Sequence, residues 1–232
     1  MWSYYGSKSM LVDLYPKPKN KTIIEPFAGT ARYALKYFDN DVTIIDKYDV
    51  IIKIWLWLQK CSRNDILSLP KLKTGDDLRS FNLSEGEFLF MAMNAGISST
   101  SPRNKVSKFA AEQNGRANKY KIVADNLFKI KHWNILQMDY LDLQNRDATW
   151  FIDPPYQFGG HAYKENKIDF EYLSKWCRSR LGQVIVCENT KAKWLPFIPI
   201  KAIRSISSKP TIEAIWTNEH THFNNIQQSL FL

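Results

Sequence analysis

No stretch of this chain is both long and apolar enough to cross a bilayer; the longest apolar run, Val50 to Leu58, is interrupted by Lys53. The opening Met1-Trp2-Ser3-Tyr4-Tyr5 has no basic region leading into an apolar core, so no secretory leader and no membrane association are expected. Cysteine is scarce. Cys61, Cys177 and Cys187 are odd in number and lack metal-ligand spacing, which argues against a disulfide framework and for a reduced, cytoplasmic protein. His132, His161, His220 and His222 are not spaced for a metal site either, and no metal is expected. The three-glycine dinucleotide fingerprint is absent, as are internal repeats and low-complexity segments. Negative charge is in short supply: 23 acidic against 32 basic residues leave a net charge of +9, which points to a polyanionic partner.

What is present describes a folded α/β protein. A hydrophobic content of 44% over 232 residues can bury one sizeable core. Short apolar runs predict strands at Thr22–Glu25, Val42–Asp46, Asn134–Met138, Thr149–Ile152, Val184–Cys187, Ala202–Ile206 and Ala214–Thr217. Helices are expected over about Ala31–Tyr37, Val50–Gln59 and Phe170–Leu181, the last capped by Asp169. Ser84 with Glu87 forms a capping box for a helix through Asn94. Ser62–Gly75 reads as irregular and Gly96–Pro102 as a loop. A helix over Lys119–Lys129 is expected to turn Ile122, Val123 and Leu127 inward, and Trp55 and Trp57 read as core packing. The strand–turn–helix–strand order of the first sixty residues is half of a doubly wound sheet.

The chemistry centres on Asp153-Pro154-Pro155-Tyr156, delivered by the strand Thr149–Ile152. Two prolines end the strand abruptly, so a carboxylate, a rigid carbonyl-bearing turn and a flat ring share its C-terminal edge. In open α/β sheets that edge is where ligands bind. The set suits a planar ring bearing an exocyclic amine: Asp153 and the Pro154 carbonyl accept its two N–H groups, and Tyr156 stacks on its face. Gly159 and Gly160 follow, as a loop expected to order over the partner. A second element is the turn Glu25-Pro26-Phe27-Ala28-Gly29-Thr30, where a glycine lets a ligand approach the backbone. Asp46, at the end of the next strand, is placed to accept two ribose hydroxyls. The basic charge concentrates between Pro102 and Trp133, where Phe109, Tyr120 and several amides are interleaved. Arg103, Lys105, Asn114, Arg116 and Lys119 are the candidates for contact with nucleic acid.

In this order, Tyr4-Tyr5-Gly6-Ser7-Lys8, Glu25-Pro26-Phe27-Ala28-Gly29, Asp46, Asp139, Asp153-Pro154-Pro155-Tyr156 and Glu213-Ala214-Ile215-Trp216-Thr217-Asn218 resemble the Dam-like family of DNA adenine-N6 methyltransferases. The resemblance covers most of the chain. It implies a Rossmann-like methyltransferase domain, residues 1–60 and 132–232, with a mixed sheet and helices on both faces. A small, mainly helical target-recognition subdomain, residues 61–131, is inserted. It implies S-adenosylmethionine as cofactor, with Asp46 on its ribose and Glu25, Phe27, Ala28 and Gly29 beside its amino-acid end. Tyr4 and Lys8 close over it, Asp139 or Tyr140 borders its adenine, and Asp153 faces its methyl. The implied reaction is site-specific methylation of adenine N6 in duplex DNA, the base flipped onto Tyr156 with Asp153, Pro154 and Pro155 around its amine. Such enzymes serve in restriction-modification, phage protection or housekeeping marking, in a bacterial or phage-infected cytoplasm.

Two departures stand out. Ala31 occupies a position where many relatives carry a second glycine, and Met91–Arg116 lacks the aromatic, proline-containing hairpin of relatives that read GATC, so that target is not carried over. The rival readings are an RNA adenine-N6 methyltransferase and an inactive, DNA-binding regulator. The C-terminal Gln227-Gln228-Ser229-Leu230-Phe231 resembles the peptide by which bacterial replication and repair proteins dock on the sliding clamp, through Gln227, Leu230 and Phe231; packing on the chain's own core is the alternative. A monomer on DNA is expected.

Overall fold

The computed structural model describes residues 6–8, 11–96, 99–115, 119–205 and 208–219, without the side chains of residues 113–115, 204–205 and 208–210. Its centre is a seven-stranded sheet: β1 (Thr22–Glu25), β2 (Asp41–Asp46), β3 (Asn134–Gln137), β4 (Ala148–Ile152), β5 (Gly182–Asn189), β6 (Ile198–Ser205) and β7 (Ser208–Thr217). The order is β3-β2-β1-β4-β5-β7-β6. The first five strands run parallel, and β7 inserts antiparallel between β5 and β6. This is a Rossmann-like mixed sheet, with helices on both faces. The chain leaves β1 toward β2 and β3, then returns to the other side of β1 at β4. That reversal opens a crevice above the C-terminal ends of β1 and β4.

The parallel strands are apolar on both faces, as sheets covered on both sides require. Alternate residues serve two cores. Ile23, Ile44, Phe151 and Ile185 face one, and Ile24, Ile45, Trp150 and Val184 the other. In the first, Phe151 stacks on Tyr33 at 4.3 Å and meets Tyr15 edge-on at 5.1 Å. In the second, Trp176 from α7 (Phe170–Ser179) packs edge-on against Trp150 and Tyr140. Asp169 caps α7, which stops at Ser179, two residues earlier than expected.

On the first face lie α1 (Arg32–Lys36), α2 (Asp49–Lys60), α3 (Arg63–Leu67), α4 (Glu85–Asn94), α5 (Lys108–Gly115) and α6 (Lys119–Asp125). The described residues between α2 and β3 add helices and no strand of the sheet. Phe90, Met91, Met93, Val123 and Leu127 from this segment join the same buried cluster as Trp55 and Leu58 of α2. The Ser84–Glu87 capping box is present, and a second, Ser62 with Asp65, starts α3 inside the segment expected to be irregular. The helix expected over Lys119–Lys129 ends at Asp125 and resumes as a 3-10 turn, Leu127–Ile130. Ile122 is a correction: it is 57% exposed, because the face that buries Val123 and Leu127 turns Ile122 to solvent. Among the described residues no helix is long and apolar enough to cross a membrane.

Candidate active site

A cavity of about 360 Å³ sits at the crevice, lined by β1, β2 and β4 ends and the segments that follow them. Gly6, Lys8, Glu25, Phe27, Ala28, Gly29, Asp46, Asp139, Tyr140, Asp153 and Pro155 all line it. Residues separated by as many as 149 positions in the sequence therefore meet at one sheet edge. Tyr4 lies outside the described residues.

The first wall is the turn after β1. Gly29 adopts φ +45°, and Ala31 is also left-handed at φ 43°, ψ 50°, the conformation glycine takes without strain. Asp46 secures the turn: its carboxylate accepts from Gly29 N at 3.0 Å and Tyr48 N at 2.9 Å. Burial pushes the Asp46 carboxyl up to about 6, and those two N–H groups hold it from rising further. Trp55 Nε1 donates to Gly29 O at 2.9 Å from behind. Glu25 is buried and accepts from Ala34 N; burial raises it to about 8 against that bond. Phe27 and Tyr140 face each other at 5.1 Å, bordering the cavity with two aromatic rings. Asp139 caps the turn Tyr140–Asp142 and pairs with Lys47 at 2.9 Å.

The second wall is the turn after β4. Asp153 Oδ1 lies 2.9 Å from Lys8 Nζ, which sits 4.6 Å from the Tyr156 ring centre. Lys8 Nζ is also 3.9 Å from Glu213 Oε1, and that oxygen accepts from Tyr156 OH at 2.7 Å and Tyr15 OH at 2.8 Å. Burial raises the Asp153 and Glu213 carboxyls, with Lys8 opposing the rise in both. Burial disfavours the Lys8 ammonium, but Asp153 and Glu213 more than compensate, and its pKa stands above that of a free lysine. Glu188 fixes the exit of the turn by accepting from Gln157 N and Asn189 N, and Asn189 Nδ2 donates to Phe158 O. Pro154 is buried, and neither Pro154 nor Tyr156 is among the residues lining the cavity.

Lys8 was expected over the cofactor; it lines the cavity but spends its charge on Asp153. The Gly159-Gly160 pair forms a tight turn. Gly159 is left-handed at φ 114°, Gly160 N donates to Tyr156 O at 2.9 Å, and a Cβ on Gly160 would lie 2.9 Å from the Pro155 carbonyl carbon. The turn leads to Tyr163, whose hydroxyl rests on Gly6. Tyr15, Glu188 and Tyr163 are site residues the sequence reading does not name, and Glu213 enters it only as the first residue of a strand-and-turn motif, with no role of its own. The available signal was an acid inside the apolar run Ile212-Glu213-Ala214-Ile215-Trp216.

Among the described side chains of the nucleic-acid candidates, Arg103, Lys105 and Lys119 do not line the cavity. Arg103 and Lys105 are exposed between α4 and α5, next to exposed Lys108 and Phe109. Lys119, at the start of α6, is largely buried; burial, with the Arg32 charge, lowers it to about 8. Arg32 lines the cavity. Asn114 falls within α5, its side chain undescribed, and Arg116 lies outside the described residues, as do Gln227, Leu230 and Phe231.

No family model and no curated protein matches the chain. Among solved structures it is similar to a conserved hypothetical protein of Streptococcus pyogenes (TM-score 0.35, 11% identity, 85% of this chain and 86% of that one). It is also similar to a candidate methyltransferase, yhhF, of Escherichia coli (0.31, 10%, 90% and 78%) and to the rRNA methyltransferase aviRa of Streptomyces viridochromogenes (0.34, 12%, 89% and 80%). Likenesses this weak carry no inference about chemistry, and a shared fold would not fix the substrate.

Proposed function

We propose that the chain is an S-adenosylmethionine-dependent methyltransferase acting on the exocyclic amine of adenine in duplex DNA. The carrying observation is the placement of Asp153 and Pro155, at the end of β4, on the same cavity as Asp46, Gly29 and the Phe27–Tyr140 pair. The residues fit the cofactor. An acid at the end of β2 suits ribose hydroxyls, two aromatic rings suit a purine, and a turn in the left-handed region brings backbone close to a ligand. When bound, S-adenosylmethionine supplies an electrophilic methyl on a sulfonium.

The protein's part is then positioning and charge. Asp153 accepts an N–H of the amine and so orients the nitrogen's lone pair. Tyr156, tethered by its hydroxyl to Glu213, offers a ring for stacking, worth about 1–3 kcal/mol per base. That offsets part of the few kcal/mol needed to unstack the base. The surplus of basic residues, with exposed Arg103, Lys105, Lys108 and Phe109, is suited to a phosphate backbone.

The test is transfer of labelled methyl from S-adenosylmethionine to mixed-sequence duplex DNA, single-stranded DNA and RNA, with Asp153→Ala alongside. N6-methyladenine in duplex DNA from wild type, and none from the variant, is the expected result. Methylation of RNA alone would reassign the substrate. Cofactor binding without transfer to any of the three would overturn the enzymatic reading.

A further inference from the structure

Asp153, Lys8 and Glu213 come from three separate parts of the chain and meet in one buried cluster. Lys8 Nζ is 2.9 Å from Asp153 and 3.9 Å from Glu213; the Lys8 and Glu213 side chains are 9% and 3% exposed, and Asp153, which faces the cavity, is 21% exposed. Two acids and one base cannot all be charged there without leaving one net negative charge in a poorly hydrated place. Among the described residues the neighbours do not supply the missing cation. Burial raises Tyr15, Tyr156 and Cys187 and keeps them neutral at ordinary pH, and Glu25 and Glu188 are further acids. Burial raises both Asp153 and Glu213, as a cluster short of positive charge requires.

Resting on the methyltransferase reading above, we propose that Glu213 and Lys8 form with Asp153 a proton store: it holds one proton beyond that of Lys8 when the cavity is empty, gives it up when a sulfonium cation binds, and takes one back when the amine is methylated. The charges close at each stage. Two carboxylates balance Lys8 and a proton, or Lys8 and the sulfonium. On transfer, the amine's lone pair becomes the new N–C bond and the electrons of the breaking C–S bond stay on sulfur, which becomes a neutral thioether. The nitrogen sheds one hydrogen as a proton, and Asp153, the acceptor of that N–H, receives it. Lys8, which contacts Asp153 and lies near Glu213, lets the two acids share the proton. On Glu213 it resides at Oε2, because both tyrosine hydroxyls use Oε1. Glu213 is in this sense a positioning residue, holding Tyr156 by geometry and the proton by charge.

Calorimetric titration with S-adenosylmethionine and with its thioether product, S-adenosylhomocysteine, in buffers of differing ionisation enthalpy at mildly acid pH, counts protons exchanged on binding. Asp46 and Glu25 line the cavity away from the methyl and face parts common to both ligands, and Glu188 does not line it, so all three cancel in the difference. Wild type is expected to release between about half and one more proton with the sulfonium than with the thioether. Glu213→Gln, an isostere that keeps an acceptor for both tyrosines, is expected to reduce that difference to near zero, and Asp153→Asn, which independently removes one acid, to do the same. Equal proton counts for the two ligands in wild type overturn the proposal while leaving the site's reading intact, as does a full difference persisting in either variant. Binding of neither ligand overturns both.

Discussion

Glu25 offers the sharpest test of the site's electrostatics, because its stability effect has a sign opposite to that of most carboxylates. It is 2% exposed, and burial lifts its carboxyl from an ordinary 4.5 to about 8. Between those values the folded protein keeps a proton that the unfolded chain has lost. The stabilisation is therefore complete below about 4.5 and is lost as pH rises through about 8. The interval spans about 3.5 pH units, and at about 1.36 kcal/mol per unit its upper limit is about 5 kcal/mol. Water entering beside an ionised Glu25 lowers the realised loss, so a fall of about 2–5 kcal/mol is expected. Glu25→Gln removes the titration and retains an acceptor for Ala34 N. Urea unfolding at pH 5, 6, 7 and 8, without cofactor, compares the two proteins; Asp46 and Glu188 titrate in both and cancel. The wild-type stability should fall relative to Glu25→Gln as pH rises. Parallel stability profiles would refute the reasoning, since they would mean that Glu25 is ionised in the folded protein near its ordinary value.

Two backbone predictions follow from the turns. Ala31 combines a left-handed conformation with 1% exposure, so Ala31→Gly relieves strain while losing a methyl contact and should change urea stability by no more than about 1 kcal/mol. Ala31→Val, β-branched in the same conformation and in the same tight space, should cost at least about 3 kcal/mol; a Val variant as stable as wild type would contradict the left-handed assignment. At Gly160, the added methyl of alanine meets the Pro155 backbone, which cannot swing aside like a side chain. Gly160→Ala should therefore lower methyl transfer at least about tenfold, equivalent to about 1.4 kcal/mol, with little change in urea midpoint. Unaltered transfer would show that the turn position is not critical.

The strands were readable because parallel strands covered on both faces appear as plain apolar runs, as in Thr22–Glu25 and Thr149–Ile152. The capping box at Ser84 was readable because it uses glutamate in the usual place. Its counterpart at Ser62 was not, because aspartate does the same work from a polar segment that otherwise resembles a loop. Helix α5 carries little apolar periodicity and hid inside a stretch notable only for charge. Ile122 went wrong for a related reason: apolar character alone does not choose between adjacent positions, and the spacing of Val123 and Leu127 defined the buried face. Within the site, Asp46 and Asp153 were legible because each ends a recognisable strand. Glu213 stood in a motif without a place in the site, because its contacts depend on β7 lying antiparallel to β5, with Asn189 opposite Glu213, and on Tyr15, 198 residues away. Local pattern encodes neither.

The second wall also constrains how a target can enter. Lys8 already occupies one oxygen of Asp153 and stands near the Tyr156 ring, so it is the first N–H donor and cation the site presents to its own carboxylate. An arriving amine must use the other Asp153 oxygen, or Lys8 must shift toward Glu213, which lies within 3.9 Å. The second route costs little electrostatically, because the ammonium exchanges one carboxylate partner for another without leaving the cluster. Removing Glu213 would close that route and leave Lys8 bound more tightly to Asp153. On the proposed function, the acid on β7 would serve substrate entry, ring placement and proton balance through one geometry, buried beside Tyr15 and Tyr156.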